Sequence, residues 1–444
     1  MEKKKKYERP LIKPINATMP GKSGTDAYIS PMLDIDGVSV QSLAERFGTP
    51  LFVISEKQLR RNIRMAKRAF STRLPKVVFA WSYKTNYLDA VCRAFHQEGS
   101  WAEVVSGFEY DKALNNGVPG DHIVFNGPSK KREDLEKALK NASLIHIDNL
   151  DELYMLVELA GELQCRPQVA VRVNLNAGIL PVWDRFGFNL ENGQALDAVS
   201  KIMSFGCMDL RGLHCHIGTF ILSSKVYGVA AQKLADFACD IRRLFGVAVE
   251  YIDMGGGFAS KNTLKASYLV GADICPSMDD YAEEIADAFH KAPFGKGEFP
   301  ALLLETGRAL VDDAGFLLAS VLTNKRSAQG GRYTVMDAGV NLLFTSFWYN
   351  HKISPAQLYS QHFENTTLYG PLCMNIDVVR EQVSLPLLNK GDLLVVHNVG
   401  AYNMTQWMQF ITLRPNIVMI EENGGTKLIR EAEKFDDVTR LERL

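Results

Sequence analysis

The stretch VVFAWSYK, residues 77–84, raises the question on which the fold depends. Its first five residues are apolar or favour a β-strand, and the run ends in Ser82, Tyr83 and Lys84. A lysine at the end of such a run is usually a surface residue where the strand meets water. The alternative is a reactive amine held in a pocket, so the rest of the chain has to distinguish the two.

Eight strand-like segments follow one another between Val77 and Arg308, and the segments between them have helical periodicity. Apolar residues recur three and four positions apart in KREDLEKALKNA and NLDELYMLVELAGEL, for example. The strand candidates are VVFAWSYK, WAEVVS, HIVFNG, LIHIDN, VAVRVN, LRGLHCHIG, VEYIDMGG and ALLLETGR. This alternation predicts an α/β fold of (β/α)8 TIM type. A doubly wound open sheet is the alternative, although it usually has fewer strands.

Polar residues and glycines accumulate where these strands end, whereas the first halves of the strands are apolar. In chain order the ends carry Lys84, Ser106 with Gly107, Asn126 with Gly127, Asp148, Arg172, His216 with Gly218, Gly255 to Gly257, and Glu305 with Gly307 and Arg308. In a barrel the carboxyl ends of the strands meet at one mouth, where active sites lie. We therefore expect Lys84 to share a pocket with Arg172, His216 and Glu305.

The segments before and after the barrel have a different pattern. Short strand-like runs dominate after Arg308, and GTPLFVISE precedes the barrel as one further strand, after a helical stretch SVQSLAERFG. The chain is therefore predicted to have a flexible leader (1–31), an N-terminal strand region (32–56), a barrel (57–312) and a mostly β C-terminal domain (313–444) that takes in the N-terminal strand.

The composition is typical of a globular protein and gives no support for nucleic-acid or membrane partners. The 444 residues carry a net charge of −1, and 46% of them are hydrophobic. No apolar run has the length of a membrane span or a signal-peptide core, so we expect a cytoplasmic protein. Seven cysteines without a CxxC pair indicate neither a disulfide framework nor a zinc site, and no metal is expected.

Two glycine-containing motifs fall where barrels often bind phosphate, after strands seven and eight. DMGGGF lets backbone N–H groups approach an anion, and ETGR adds the guanidinium of Arg308. A phosphate site, a lysine and an acid in one mouth suggest pyridoxal 5'-phosphate bound to Lys84 as a Schiff base. Glu305 would keep the ring nitrogen protonated, and His216 could stack on the ring. An ion pair of Glu305 with Arg308 and a structural histidine at 216 remain the alternatives.

Nine motifs in order resemble the fold-type III pyridoxal-phosphate decarboxylases and are most similar to diaminopimelate decarboxylase. They are SYKTN, EVVSGFEYDKAL, FNGPSKKREDLEKAL, RFGF, HCHIGT, DMGGGF, ETGR, GPLCMNID and GAYNM, and the resemblance extends over roughly 51–420. It implies that Lys84 carries the cofactor and His216 stacks on its ring. Glu305 would contact the pyridine nitrogen, and Arg172 would lie near the ring hydroxyl. The implied phosphate ligands are Thr219, Gly256, Gly257, Arg308 and Tyr402.

The resemblance also implies a head-to-tail homodimer with shared active sites. Cys373 and Asp377 match the family's interface loop, and Cys373 would return a proton to Cα after carbon dioxide leaves. With Lys84, His216 and Glu305, Cys373 completes the expected catalytic set. The substrate-binding candidates are Arg308, Asp337, Thr345, Met374 and Asp377.

Two departures from the family pattern concern the substrate. Diaminopimelate decarboxylases have an acidic residue directly after the interface cysteine, where this chain has Met374 followed by Asn375. They also carry an arginine after the DAG motif, where this chain has Thr345. The chain therefore lacks both side chains that would bind the distal ammonium and carboxylate of diaminopimelate. A buried polar group left without its partner costs about 1 to 3 kcal/mol. We therefore expect a different substrate, an amino acid or a conjugate as in specialised metabolism, with Asp337 and Arg185 as available polar contacts.

Three alternative functions are compatible with the sequence. The chain could be diaminopimelate decarboxylase itself, in lysine biosynthesis. It could be an amino-acid racemase, although that activity is associated with an arginine opposite the pyridine nitrogen and Glu305 argues against it. It could also be a decarboxylase-like regulatory protein without activity, but such proteins usually lose the lysine, the phosphate ligands or the interface cysteine.

Overall fold

The computed structural model describes residues 30–179, 181–265, 267, 269–359 and 362–443. Most of the predicted leader, 1–29, lies outside these residues. The strands are β1 Asp34–Ile35, β2 Val38–Ser39, β3 Leu51–Ser55, β4 Val77–Ser82, β5 Trp101–Val104, β6 Ile123–Phe125, β7 Leu144–Ile147, β8 Gln168–Asn174, β9 Phe188–Asn189, β10 Asp209–His214, β11 Tyr251–Asp253, β12 Ala301–Thr306, β13 Gly315–Arg326, β14 Arg332–Met336, β15 Ile353–Pro355, β16 Phe363–Tyr369, β17 Val378–Pro386, β18 Leu393–His397, β19 Ile417–Ile420 and β20 Thr426–Arg430. The helices are α1 Val40–Phe47, α2 Glu56–Ser71, α3 Asp89–Gln97, α4 Gly107–Asn115, α5 Arg132–Lys140, α6 Leu150–Leu163, α7 Gln194–Phe205, α8 Lys225–Phe245, α9 Gly271–Ile274, α10 Met278–Lys291, α11 Arg308–Val311 and α12 Phe435–Thr439.

Eight parallel strands close into a barrel. β4, β5, β6, β7, β8, β10, β11 and β12 pair in that order, and β12 pairs back with β4. The closure confirms the predicted (β/α)8 barrel, and the alternative of an open doubly wound sheet is wrong.

A second, mostly β domain follows the barrel, as the sequence predicts. β13 pairs antiparallel with β14, β18 and β3, and β3 pairs parallel with β19. The N-terminal strand Leu51–Ser55 is therefore built into the C-terminal sheet, which confirms that part of the fold prediction. Its five residues are all buried, which explains their apolar character.

The helices around the barrel bury one face against the strands. In α2 the buried residues include Leu59, Ile63, Ala66 and Phe70, at the spacing of a single helix face. Ser55 begins this helix, since its hydroxyl accepts a hydrogen bond from the Gln58 N–H over 3.0 Å. The chain thus passes directly from the C-terminal sheet into the barrel.

Inside the barrel, an apolar layer lies toward the amino ends of the strands. It consists of Ala80, Val124, Leu144, Ala170, Tyr251, Ala301 and Leu303. The layer closes that end of the barrel, so the polar residues further along the same strands face the opposite mouth. Within the part of the chain that the structure describes, no helix is both long and apolar enough to cross a bilayer.

Candidate active site

A cavity of about 340 Å³ lies at the mouth formed by the carboxyl ends of the barrel strands. All nine residues that the sequence assigns to the cofactor line it: Lys84, Arg172, His216, Thr219, Gly256, Gly257, Glu305, Arg308 and Tyr402. Arg185 lines it too. Because these residues come from six different strands or loops, barrel closure is what brings them together.

Lys84 lies in a single 3₁₀ turn, Tyr83–Thr85, directly after β4. Its Nζ donates hydrogen bonds to both carboxylate oxygens of Glu103, over 2.7 and 2.6 Å. Burial disfavours the ammonium, but the negative charges of Glu103 and Glu305 outweigh that effect and raise the pKa of Lys84. Burial raises the pKa of the Glu103 carboxyl to about 7, although Lys84 opposes the shift. The lysine is therefore a paired amine inside the mouth rather than a surface residue.

Glu305, the penultimate residue of β12, lies at the floor of the cavity and is 4% exposed. Asn126 Nδ2 donates to its Oε1 over 2.8 Å, and His214 Nε2 lies 3.4 Å from its Oε2. Burial alone would favour the neutral acid, but His214 and Lys84 lower the pKa of Glu305 well below its usual value. The floor of the cavity thus presents a fixed carboxylate.

The opposite end of the cavity is built to receive an anion. A Cβ at Gly256 would lie 2.4 Å from the Glu305 carbonyl oxygen, and one at Gly257 would lie 2.2 Å from the Gly218 carbonyl oxygen. Gly257 also has a φ of +88°, which disfavours any side chain. Only glycine fits these two positions, so the backbone there stays open to a ligand.

Arg308 lies at the same end, and its guanidinium faces the rings of Tyr402, Tyr349 and Phe220 at 4.6, 5.3 and 5.8 Å. Its Nη1 is buried and has no hydrogen-bond partner within the described chain. A buried guanidinium nitrogen without an acceptor is costly, so an anionic ligand is expected there.

Two residues border the space between these ends. His216 accepts a hydrogen bond from the Gly256 N–H through Nδ1 over 3.1 Å. Burial, helped by the charge of Arg172, lowers the pKa of His216 to about 3, so the ring is neutral. Arg172 donates to Asn126 Oδ1 over 3.4 Å and lies 3.5 Å from Asp148. A neutral, flat imidazole suits a stacking role against an aromatic ligand.

Tyr402 joins the cavity from the C-terminal domain. Its backbone N–H donates to the Thr85 carbonyl over 2.9 Å, next to Lys84, and its φ is +61°. Asp312 holds the preceding segment, since it accepts hydrogen bonds from the Ala401 N–H, Ser260 and Asn262. A non-glycine residue in the left-handed region indicates that the surrounding structure enforces this conformation.

The residues present fit pyridoxal phosphate. The orphaned Arg308 nitrogen and the glycine cradle suit its phosphate, and the Glu305 carboxylate suits a protonated ring nitrogen. The neutral His216 ring suits the face of its pyridine, and Lys84 supplies an amine for its aldehyde. The cavity volume lies within the usual range for small-molecule sites, roughly 300–1,000 Å³.

The structure places the remaining predicted residues away from this cavity. Within one chain as described, Cys373, Met374, Asp377, Asp337 and Thr345 do not line it. Cys373 is exposed, and its neighbour Met374 is half-buried.

The other three have partners within the C-terminal domain. Asp377, 1% exposed, accepts hydrogen bonds from the backbone N–H groups of Val340 and Leu372. Asp337 accepts one from the Ser320 N–H over 2.9 Å. Thr345 is 1% exposed and contacts Asn403 and His351, both over 2.9 Å. Each of these side chains has a structural partner in its own chain.

Sequence reasoning missed Glu103, Asn126 and His214 as contacts of the functional residues. Glu103 pairs with Lys84, and Asn126 and His214 contact Glu305. Glu103 and His214 are ionisable residues inside strongly apolar strands, which is a signal that the sequence contains. A polar side chain in such a strand faces the barrel interior and needs a partner there.

The comparisons with known proteins agree with this geometry. Residues 58–312 match the family described as "Pyridoxal-dependent decarboxylase, pyridoxal binding domain". The chain is 31% identical to a diaminopimelate decarboxylase of Methanocaldococcus jannaschii over 91% of this chain and 93% of that protein. It is 29% identical to one of Bacillus subtilis, over 92% and 95%.

A solved structure shows the same fold. The crystal structure of the M. jannaschii diaminopimelate decarboxylase in complex with L-lysine has a TM-score of 0.84 and 29% identity, covering 93% of this chain and 96% of that one. The family match covers more than half of the chain and contains Lys84, His216, Glu305 and Arg308. This protein therefore belongs to the pyridoxal-phosphate-dependent decarboxylases, which are carbon–carbon lyases.

Proposed function

We propose that this decarboxylase removes the α-carboxylate of an amino acid, or of an amino-acid conjugate, whose side chain differs from that of meso-diaminopimelate. The observation that carries the proposal is the pair Met374 and Thr345, which stand where the resemblance expects an acidic residue and an arginine. A thioether cannot attract an ammonium group as a carboxylate does, and a threonine cannot pair with a carboxylate as a guanidinium does.

The surroundings of Thr345 support this proposal. Its hydroxyl and N–H are both directed to Asn403 Oδ1, and its hydroxyl also contacts His351. The side chain is therefore engaged in the C-terminal domain rather than free to bind a ligand. The place that would recognise a distal carboxylate is filled by a structural hydrogen-bond network.

Each residue of the cavity has its own role in the proposed reaction. When bound, pyridoxal phosphate supplies an aldehyde for amines and a ring that accepts the electrons left by the departing carboxylate. Arg308 and the glycine turn hold the phosphate, and His216 fixes the ring plane. Glu305 keeps a proton at the ring nitrogen. Glu103 would position the Lys84 amine through its two hydrogen bonds.

The last step needs an acid at Cα, and we assign it to Cys373. This residue is exposed and lies outside the cavity of its own chain. A second copy of the chain that places its Cys373 loop over the mouth would complete the site. We therefore propose a homodimer with shared active sites.

Diaminopimelate decarboxylase activity is the second candidate, because the relatives carry that name over nearly the whole chain. An amino-acid racemase is disfavoured, since a carboxylate rather than a guanidinium occupies the floor of the cavity at Glu305. These activities have different products, so one assay separates them.

The test is the release of carbon dioxide by the purified holoenzyme from a panel of amino acids. The panel contains meso-diaminopimelate, L-lysine, L-ornithine, L-arginine and acylated or carrier-linked amino acids. We expect a member other than meso-diaminopimelate to have the highest kcat/KM. Efficient turnover of meso-diaminopimelate would instead establish the second candidate, and inverted stereochemistry without carbon dioxide would establish a racemase.

The variant Met374→Glu provides a matched gain-of-function control. If Met374 lies near the distal end of the substrate, a carboxylate there should improve binding of substrates with a distal ammonium, such as L-lysine. We expect KM for such substrates to fall several-fold. An unchanged KM across the panel would place Met374 outside the substrate pocket.

A further inference from the structure

Four buried ionisable side chains meet beneath the floor of the active site. His146, His214, Asp253 and Glu305 come from or directly follow β7, β10, β11 and β12, and none is more than 4% exposed. One nitrogen or carboxyl oxygen of each lies within 4.8 Å of those of the others. Only Glu305 has a role in the reaction described so far.

The hydrogen-bond donors around the two carboxyl groups are distributed unequally. Glu305 has two side-chain donors within reach, the Asn126 amide at 2.8 Å and His214 Nε2 at 3.4 Å. Asp253 has one donor, a backbone group, since its Oδ1 accepts a hydrogen bond from the Gly255 N–H over 2.7 Å. Asp253 Oδ2 is buried without a hydrogen-bond partner in the described chain.

The unpartnered oxygen lies on the side of Glu305. Asp253 Oδ2 and Glu305 Oε1 are both 3.9 Å from the same atom, His146 Nδ1. Two ionised carboxylates at such close range in a buried site repel each other strongly, so one of them keeps its proton. The carboxyl group with fewer donors is the one that is less well stabilised as an anion.

The neighbouring histidines do not replace that proton. His146 Nε2 contacts the Tyr251 hydroxyl over 3.1 Å, and its ring is fully buried. Burial and the neighbouring His214 lower the pKa of His146, and burial lowers that of His214, although the Glu305 carboxylate opposes both shifts. The lowered pKa values favour the neutral form of both rings, so the carboxyl pair is left to share one negative charge.

We propose that Asp253 is a neutral carboxylic acid that donates a hydrogen bond from Oδ2 to the Glu305 carboxylate. Asp253 is then a positioning residue, because it touches neither substrate nor cofactor. Through Oδ2 it fixes the carboxylate that faces the ring nitrogen, and through Oδ1 it holds Gly255, which begins the glycine turn at the phosphate end. One side chain links the two ends of the cofactor site.

The electrostatics of the site support this arrangement. Burial raises the pKa of Asp253 well above its usual value, and the charge of Glu305 raises it further, whereas the Gly255 N–H opposes the shift. Tyr251 and Glu103 lie near the pair and bring no positive charge, whereas the positive charge of Lys84 acts on Glu305 and favours Glu305 as the ionised member. The inference does not depend on which amino acid the enzyme decarboxylates.

Infrared spectroscopy of the cofactor-free protein tests the protonation state. The difference spectrum between wild type and Asp253→Asn should contain the C=O stretch of a protonated carboxylic acid, with a downshift in D₂O. Asp392→Asn, at a turn of the C-terminal domain that does not line the cavity, is the matched control and should leave that C=O band in place. Loss of carboxylate bands in Asp253→Asn would overturn the proposal.

Nuclear magnetic resonance of enzyme loaded with pyridoxal phosphate labelled with ¹⁵N in the ring tests the positioning role. Asp253→Asn keeps a neutral donor, so the ring-nitrogen resonance should stay near its wild-type shift, whereas Glu305→Gln should move it toward the unprotonated value. Asp253→Leu removes donor and acceptor, so the cofactor Kd should rise at least about tenfold. A shift in Asp253→Asn as large as that in Glu305→Gln would overturn the proposal.

Metal analysis of the same preparations tests the alternative that these side chains bind a metal ion. The proposal requires that the purified protein contain no stoichiometric transition metal at these side chains. A metal present at one equivalent in wild type and lost in Asp253→Asn would show that Oδ2 binds a cation instead of carrying a proton.

Discussion

At the scale of single residues, the chemistry of this site depends on how ionisable groups are paired. Lys84 and Glu103 form an ion pair at the mouth, 2.6 Å apart at the closest oxygen, in which Glu103 is fully buried and Lys84 is partly exposed. An ion pair in a protein interior stabilises both charged forms against burial. Glu103 therefore determines how readily Lys84 gives up the proton that it must lose before it attacks an aldehyde.

Glu103→Gln should accelerate cofactor capture by the cofactor-free protein. Removal of the Glu103 charge removes the largest opposite charge acting on Lys84, so the pKa of Lys84 falls. Each unit of that fall increases the neutral amine fraction about tenfold well below the pKa. The pH profile of capture, followed by absorbance and by borohydride trapping of the lysine adduct, should move to lower pH.

Glu109→Gln is the control for this prediction. Glu109 is also buried near the mouth, but it accepts a hydrogen bond from the Val105 N–H and interacts with Lys84 through charge alone, without a hydrogen bond. Its profile should move less than that of Glu103→Gln. If both variants behave alike, Glu103 has no special effect on Lys84.

At the scale of elements, the glycine turn after β11 is the part of the site that tolerates least change. Gly257→Ala should raise the Kd for pyridoxal phosphate by at least about tenfold, because the new Cβ would collide with the Gly218 carbonyl and the positive φ adds about 1–2 kcal/mol of strain. The measurement is cofactor binding by fluorescence quenching.

The control variant Gly193→Ala separates the effect of backbone strain at a positive φ from that of a steric collision of the added Cβ. Gly193 has a φ of +90°, close to the +88° of Gly257, but nothing lies within 4 Å of its Cβ position. This variant should lose a little thermal stability and keep its cofactor affinity. Equal loss of affinity in both variants would mean that the turn matters only for folding.

A second element, the segment that carries Tyr402, is held by Asp312. Asp312→Ala leaves the donors of Ser260, Asn262 and Ala401 without their acceptor, which should cost about 2–4 kcal/mol of stability and loosen Tyr402. Calorimetry should show a lower Tm, and cofactor affinity should fall as well.

Asp313→Ala is the neighbouring control. Asp313 accepts a hydrogen bond from Asn62 over 2.6 Å and has no contact with the Tyr402 segment. It should lower Tm while leaving cofactor affinity unchanged. A fall in affinity in this variant too would show that general loosening, not the Tyr402 segment, weakens binding.

The helices and strands were largely predictable from the sequence, whereas the side-chain contacts across the barrel were not. Hydrophobic periodicity and the glycines at the strand ends predicted all eight barrel strands. The helix α6 at Leu150–Leu163 lies within the predicted helical segment. Lys84 was placed in the mouth because strand ends converge in any closed barrel. The contact of Asn126 with Glu305 joins residues 179 positions apart, and no local pattern specifies such a pair.

At the scale of the whole molecule, the position of Cys373 has a consequence for assembly. The cavity contains a lysine, a phosphate cradle and a ring-nitrogen carboxylate, but Cys373 is exposed on a loop outside it. The same loop exposes Ile376, which is 53% accessible. An exposed cysteine and isoleucine on one loop suit a contact with another chain, where the loop would cover a mouth.

Mixed dimers test this arrangement. Lys84→Ala and Cys373→Ala should each be nearly inactive alone. In a shared-site dimer, a hybrid of the two variants has one site with both defects and one site with neither. Unfolding and refolding an equimolar mixture makes about half of the dimers hybrid, so activity should return to roughly one quarter of the wild-type level.

The control is a mixture of Lys84→Ala with Glu305→Gln. Both residues line the cavity of the same chain, so every hybrid site keeps one defect and no activity should return beyond that of Glu305→Gln. Native mass spectrometry on each mixture establishes that hybrids have formed, because the hybrid mass lies between those of the two parental dimers. If neither pair recovers activity although hybrids are present, Cys373 acts within its own chain or not at all. Recovery only in the first pair requires that Cys373 of one subunit act at the site of the other, because no other arrangement restores an intact site.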